Sequence, residues 1–186
     1  YHVIRTGLKP GYQDADTRML HGMFSMLVDF VEVEKAWMHV VFDKENQKKY
    51  QVPWYTIGRL RFKSFRCTAA GIDHLKWEMT LDDPRLPAHE RSPQQAAAAR
   101  EIWVLYHWWK HVRPNRPDPN EISGWSQLCR SVGHRKILSN RRDLSPEDAE
   151  NERRILLESR EIEQAYDDED EQMLIRLVKI RKSLWT

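Results

Sequence analysis

Apolar residues recur at helical spacing in several stretches of the chain, and most of those stretches carry their own start and stop signals. After an irregular arm over residues 1–15 with Gly7, Pro10 and Gly11, the positions Leu20, Met23, Phe24, Leu27, Phe30 and Val31 line one face of a helix. Asp14 or Asp16 caps it, and it runs from about Thr17 into the Glu32–Trp37 region. His21, Ser25, Asp29 and Glu32 lie on the opposite side, where an amphipathic helix normally meets water. Ile72, Leu75 and Met79 repeat the helical spacing over 68–79, with Thr68 as the cap.

The best-bounded element lies between Ser92 and Pro119. Ser92 is a natural N-cap, Pro93 fits the first helical position where no N–H is needed, and the alanines from Ala96 have the highest helix propensity. Pro114, Pro117 and Pro119 stop the pattern at about Val112 or Arg113. Ile102, Leu105, Tyr106, Trp109 and Val112 form the expected core stripe, whereas Trp103, Val104 and Trp108 fall outside it. Apolar groups therefore cover most of the circumference, which predicts packing on more than one side.

Between residues 38 and 66 the pattern is less regular. Arg59, Arg61 and Lys63 alternate with Leu60 and Phe62 at period two, the signature of a short strand, and a hairpin within about 40–66 is one reading, an ordered loop the other. Pro53 and Gly58 argue against a central strand. Ile122, Trp125, Leu128, Cys129 and Val132 suggest one more short helix. Ser145 and Pro146, followed by acids in the first turn, then open a long amphipathic segment through Ile155, Ile162, Tyr166, Met173, Leu177, Ile180 and Leu184. One helix of about 40 residues, roughly 60 Å at 1.5 Å per residue, satisfies that phase, as does a pair broken at Asp167. The expected fold is thus mainly α: an irregular helical domain with at most a short β-hairpin and a long C-terminal amphipathic helix or helix pair.

Charge divides the chain more sharply than hydropathy does. Residues 145–186 hold 7 Lys/Arg against 12 Asp/Glu, net −5, which leaves 23 against 16, net +7, for residues 1–144. A basic, aromatic-rich domain over 1–144 and an acidic helical arm over 145–186 follow from that asymmetry. No apolar run is long enough to span a bilayer and no secretory pattern opens the chain, although its first residue is Tyr1, which leaves a preceding targeting segment open. Two cysteines, Cys67 and Cys129, lack metal or redox spacing and read as small buried hydrophobes in a reducing compartment.

Several chemistries can be tested by pattern. The seven glycines form no phosphate loop, no GxSxG elbow is present, and neither cysteine sits in a nucleophile signature. Glu147 with Glu150 and Glu158 with Glu161 supply the ExxE half of the carboxylate pattern of all-helical nucleotide pyrophosphatases, but no ExxD follows. His107 and His111, one turn apart, are the metal candidates, lacking the Glu of the zinc-protease motif. A metal-dependent hydrolase would need them beside Asp14, Asp16, His21, Asp29, Glu32 and Glu78. The two helices' polar stripes oppose their core stripes, which argues against that packing. No cofactor motif is present. The nucleic-acid candidates are Arg59, Arg61 and Lys63, then Arg135, Lys136, Arg141 and Arg142, with aromatics nearby in sequence for base stacking. The partner-binding candidates are Trp103 and Trp108 on the aromatic helix and Met173, Leu177, Ile180 and Leu184 on the last one.

The phrases YHVIRTGLKPGY, DADTRMLHGMF, DFVEVEKAW, AGIDHLKWEMTL, REIWVLYHWWKHVRPNRPDP and MLIRLVKIRKSLWT, taken together, resemble an uncharacterised protein family of tailed bacteriophages. The resemblance extends through most of the chain. It implies expression in the cytoplasm of a bacterial host, with the virion as a second location, and it supplies no catalytic residues. The leading expectation is a non-enzymatic assembly or protein-interaction module that engages a protein partner or its own copy. A nucleic-acid-binding protein using the basic body is the alternative, and a metal-dependent hydrolase a lesser one.

Overall fold

The computed structural model describes residues 4, 6–53, 65–132 and 145–184, which are mainly α-helical. The helices are α1 (Ala15–Asp29), α2 (Ala36–Val41), α3 (Lys44–Lys49), α4 (Thr68–Glu78), α5 (Pro93–His107), α6 (Pro119–Ile122), α7 (Trp125–Val132) and α8 (Pro146–Lys179). Two segments wind wider than an α-helix: Phe30–Lys35, which joins α1 to α2, and Trp108–Val112, which extends α5. No strand occurs among the described residues. Where a hairpin was one expectation, α2 runs to Val41 and α3 follows at Lys44, capped by the Asp43 side chain on the Glu45 N–H at 2.8 Å. The alternating stretch from Arg59 to Lys63 lies outside the described residues.

The chain divides into two compact units, residues 1–113 with 173–186, and residues 114–172. These limits differ from the change of charge sign near residue 145, because contact and charge are separate properties of the chain. α8 is a single helix of 34 residues, unbroken at Asp167. Its residues up to Gln172 belong to the second unit and those from Met173 to the first.

In the first unit the core collects Leu20, Phe24 and Leu27 of α1, Phe30 and Val31 of the first wide segment, Leu75 of α4, Ile102, Leu105 and Tyr106 of α5, Trp108, and Leu177 of α8. Phe24 stacks on Trp109 at 4.6 Å between ring centroids. Trp108 is 3% exposed and Val112 44%, the reverse of the expected stripe. The wide turns after His107 are the cause: a π-type turn holds more than 3.6 residues, so each position past it is rotated relative to α-helical phase. α5 is not packed all round. Val104, His107, Lys110 and His111 remain on an open side.

α4 lies close on the first wide segment. The Cys67 N–H donates to the Glu32 carbonyl at 2.8 Å, and a Cβ on Gly71 would stand 2.1 Å from the Val31 carbonyl oxygen, so only glycine fits there. Ala36, Val40, Phe65 and Ala70 form a smaller cluster, with Cys67 against it. Both cysteines are half-buried rather than fully enclosed.

In the second unit Arg116 donates to Glu169 at 2.6 Å and Asp170 at 2.7 Å and lies over the Tyr166 ring. The Tyr166 hydroxyl donates to the Pro117 carbonyl at 3.1 Å, so the loop before α6 is fastened to α8. Ser145 opens α8 as read from its sequence, its Oγ accepting the Asp148 N–H at 3.1 Å.

Candidate functional site

Among the described residues the first unit buries two carboxylates, Glu32 within the first wide segment and Glu78 at the end of α4. Glu32 was expected on a solvent-facing stripe, yet it is 4% exposed. The wide segment turns it toward the α5 side, where it accepts bonds from the Tyr106 hydroxyl at 2.8 Å and from Arg66, and lies 3.1 Å from Lys110 Nζ. The rest of that stripe also meets protein: His21 packs edge-on against Trp109, and Asp29 pairs with Arg66. Burial alone would raise the Glu32 pKa. The bonds from Tyr106, Lys110 and Arg66 outweigh it and hold the carboxyl below its ordinary range. The same contact, with burial, pushes the Tyr106 hydroxyl up and keeps it protonated as the donor.

Glu78, at the end of α4, is paired with Lys35 at 2.6 Å, and the two side chains are 1% and 7% exposed. Gln95 Nε2 donates to the same carboxylate oxygen, Oε1, at 2.8 Å. His74 Nε2 stands 3.6 Å from Oε1, too far for a hydrogen bond, and it has no other hydrogen-bond partner among the described residues. Burial pushes the Glu78 carboxyl up, but His74, Lys35 and Gln95 together bring it from the ordinary 4.5 to about 2. Glu78 is therefore ionised at neutral pH, and with Lys35 it forms a buried pair of no net charge.

A cavity of about 340 Å³ opens beside this pair. Lys35, Glu78 and Gln95 form its polar side, and Ser92 with Gln94 bring in the start of α5. Met38, Ala98, Ala99 and Ile102 supply an apolar wall. Ser92 sits at the N-cap position as its sequence predicts, but its hydroxyl makes no capping bond. The first-turn N–H groups of Gln94 and Gln95 have no helical carbonyl to reach.

A second concavity, of about 390 Å³, is mostly apolar. Ile4, Met23, Met26, Phe30, Leu177 and Leu184 line it, with Asp29, Glu34 and Arg181 also at the site. It brings together two of the predicted partner-binding residues, Leu177 and Leu184. Met173 and Ile180 are half-buried against the same core, Trp103 is half-buried beside Tyr106 and His107, and Trp108 is consumed by the core.

His107 and His111 are both exposed, with ring centroids 5.0 Å apart. Among the described residues no group of three or more His, Cys, Asp and Glu side chains is placed to hold a metal ion. Arg59, Arg61, Lys63, Arg135, Lys136, Arg141 and Arg142 lie outside the described residues. Among the described residues no helix is long and apolar enough to cross a membrane. Sequence reasoning missed Lys35 and Gln95 altogether. The available signal was Lys35 falling in the same helical stretch as Phe30 and Val31, a charge at a core-facing position.

Comparisons with protein-family models, with curated proteins and with solved structures give no match to this chain.

Proposed function

We propose that this protein is a non-enzymatic interaction module of the tailed-phage kind its sequence resembles, and that its first unit receives an apolar segment of a protein partner. The observation that carries this reading is the Met-lined groove formed by Met23, Met26, Phe30, Leu177, Leu184 and Ile4. Methionine side chains are flexible and polarisable, and they adapt to varied apolar surfaces. Met26 is 41% exposed at this groove. Glu34, Arg181 and the Arg66-paired Asp29 rim the apolar lining without a clear excess of either charge, so the complementary segment is an apolar ridge. The phage resemblance supports seeking that partner in infected bacterial cells.

A photo-crosslinking residue at Met26, with one at the exposed Lys48 of α3 as control, tests the reading by mass spectrometry of the adducts. A discrete protein adduct at residue 26, absent at residue 48 and abolished by Leu184→Glu, is expected. Equal adduct patterns at the two positions would remove the groove as the docking surface.

A further inference from the structure

The cavity beside Glu78 is a second site, independent of the apolar groove, and its chemistry is specific. Every contact made to the Glu78 carboxylate falls on one oxygen: Lys35, Gln95 and the more distant His74 all address Oε1. No donor among the described residues reaches Oε2, although a carboxylate oxygen can accept two bonds. Oε2 is not among the fully enclosed atoms, and on a side chain only 1% exposed that lines the cavity, it is open to a donor from within that cavity.

Three further constraints narrow the class of ligand. The polar floor is an ion pair of no net charge, so a bare ammonium would leave one uncompensated charge beside a buried lysine, and a bare anion would face Glu78. The first turn of α5 offers the opposite chemistry at the same cavity, with the N–H groups of Gln94 and Gln95, the uncommitted Ser92 hydroxyl and the positive end of the helix dipole. Apart from Ser183, the remaining wall is Met38, Ala98, Ala99 and Ile102, which is apolar and takes hydrocarbon.

We infer that this cavity binds a small zwitterion of the free amino-acid class, its ammonium on Glu78 Oε2, its carboxylate at the first turn of α5 and its side chain against the apolar wall. A volume of about 340 Å³ lies at the small end of ligand sites, which run from roughly 300 to 1,000 Å³. Lys35 and Gln95 act as positioning residues: they hold Oε1 and leave Oε2 turned to the ligand.

The test is thermal-shift and calorimetric titration of the full chain with the proteinogenic amino acids at millimolar concentration. Isoamylamine and 4-methylpentanoate serve as probes that carry the two charges of leucine separately. At least one zwitterion is expected to raise the melting temperature and to bind about tenfold or more tightly than the single-charge probe of matching side chain. Ala98→Leu fills the cavity without touching the ion pair and should weaken binding about tenfold or more. Gln94→Trp, on the exposed first turn, blocks the mouth and gives a second reading should the packed position not tolerate leucine. Met26→Glu, in the other groove, should leave amino-acid binding unchanged, which separates this site from the partner-binding reading. The inference is overturned if no amino acid shifts the unfolding transition, if the amine alone binds as well as the zwitterion, or if both cavity variants bind like the parent.

Discussion

Replacing Lys35 by methionine keeps the length and apolar stem of the side chain and removes only the charge that holds Glu78. The magnitude follows from the geometry. Nζ lies 2.6 Å from Oε1, and neither side chain is more than 7% exposed, so solvent cannot take over the role of Lys35. The drop of the Glu78 carboxyl from 4.5 to about 2 corresponds to about 3 kcal/mol of preference for the ionised form, at 1.36 kcal/mol per pKa unit, shared among His74, Lys35 and Gln95. Breaking a buried pair from one side costs about 3 to 5 kcal/mol. Urea unfolding at about pH 7, followed by tryptophan fluorescence, should therefore show a loss of about 3 kcal/mol for Lys35→Met. The sign of the pH dependence is fixed by the depressed carboxyl. Its stabilisation is complete above 4.5 and is lost as pH falls toward 2. The parent consequently loses stability over that window that the variant no longer has, and the gap between them narrows at about pH 3. The double variant Lys35→Met/Glu78→Leu removes both charges together and should recover most of the loss. A loss below about 1 kcal/mol at neutral pH, or a gap that is the same at both pH values, would refute the reasoning.

Gly71→Ala drives a methyl into the Val31 carbonyl, a backbone atom that cannot swing aside, and should cost about 3 kcal/mol in the same urea assay. Arg116→Lys keeps the charge but loses the fork that reaches Glu169 and Asp170 at once and the plane over Tyr166; a loss of about 1 to 2 kcal/mol in the second unit, read by hydrogen exchange around Tyr166, Glu169 and Asp170 of α8, is expected. Ser145→Ala removes the bond to the Asp148 N–H and should speed exchange in the first turn of α8 by about fivefold, equivalent to about 1 kcal/mol, with α5 unaffected.

Helix boundaries were legible wherever a residue type acts through its own backbone. Pro93 begins α5, Ser145 caps α8, and Pro114 follows the end of the aromatic helix, because proline geometry and hydroxyl capping are local effects. The continuity of α8 across Asp167–Glu171 could not be decided locally, since an acidic run can either cap a new helix or lie on the solvated face of an old one. Facing residues were legible only up to the first wide turn. Beyond His107 a fixed 100° step assigns Val112 to the core and Trp108 outside it, and the structure reverses both. The polar site was hidden for a different reason. A periodicity argument sends charged residues to water, and the pairing that keeps Lys35 and Glu78 inside spans 43 positions in the chain. Nothing near either residue announces its partner.

The two wide turns have a consequence for how this chain tolerates change in length. Each can be regarded as one residue more than an α-helix needs. Deleting a single residue between Phe30 and Lys35 would restore ordinary pitch there and leave α2 in its present phase, whereas the same deletion within regular helix would swing everything after it by about 100° around the helix axis. Ala36 and Val40 would then keep their places in their cluster, and the change would fall on the segment that carries Glu32 and Lys35. The second wide turn holds Lys110, which meets Glu32 of the first. The two wide turns thus meet through Glu32 and Lys110, and a shortening of either acts on that pair first.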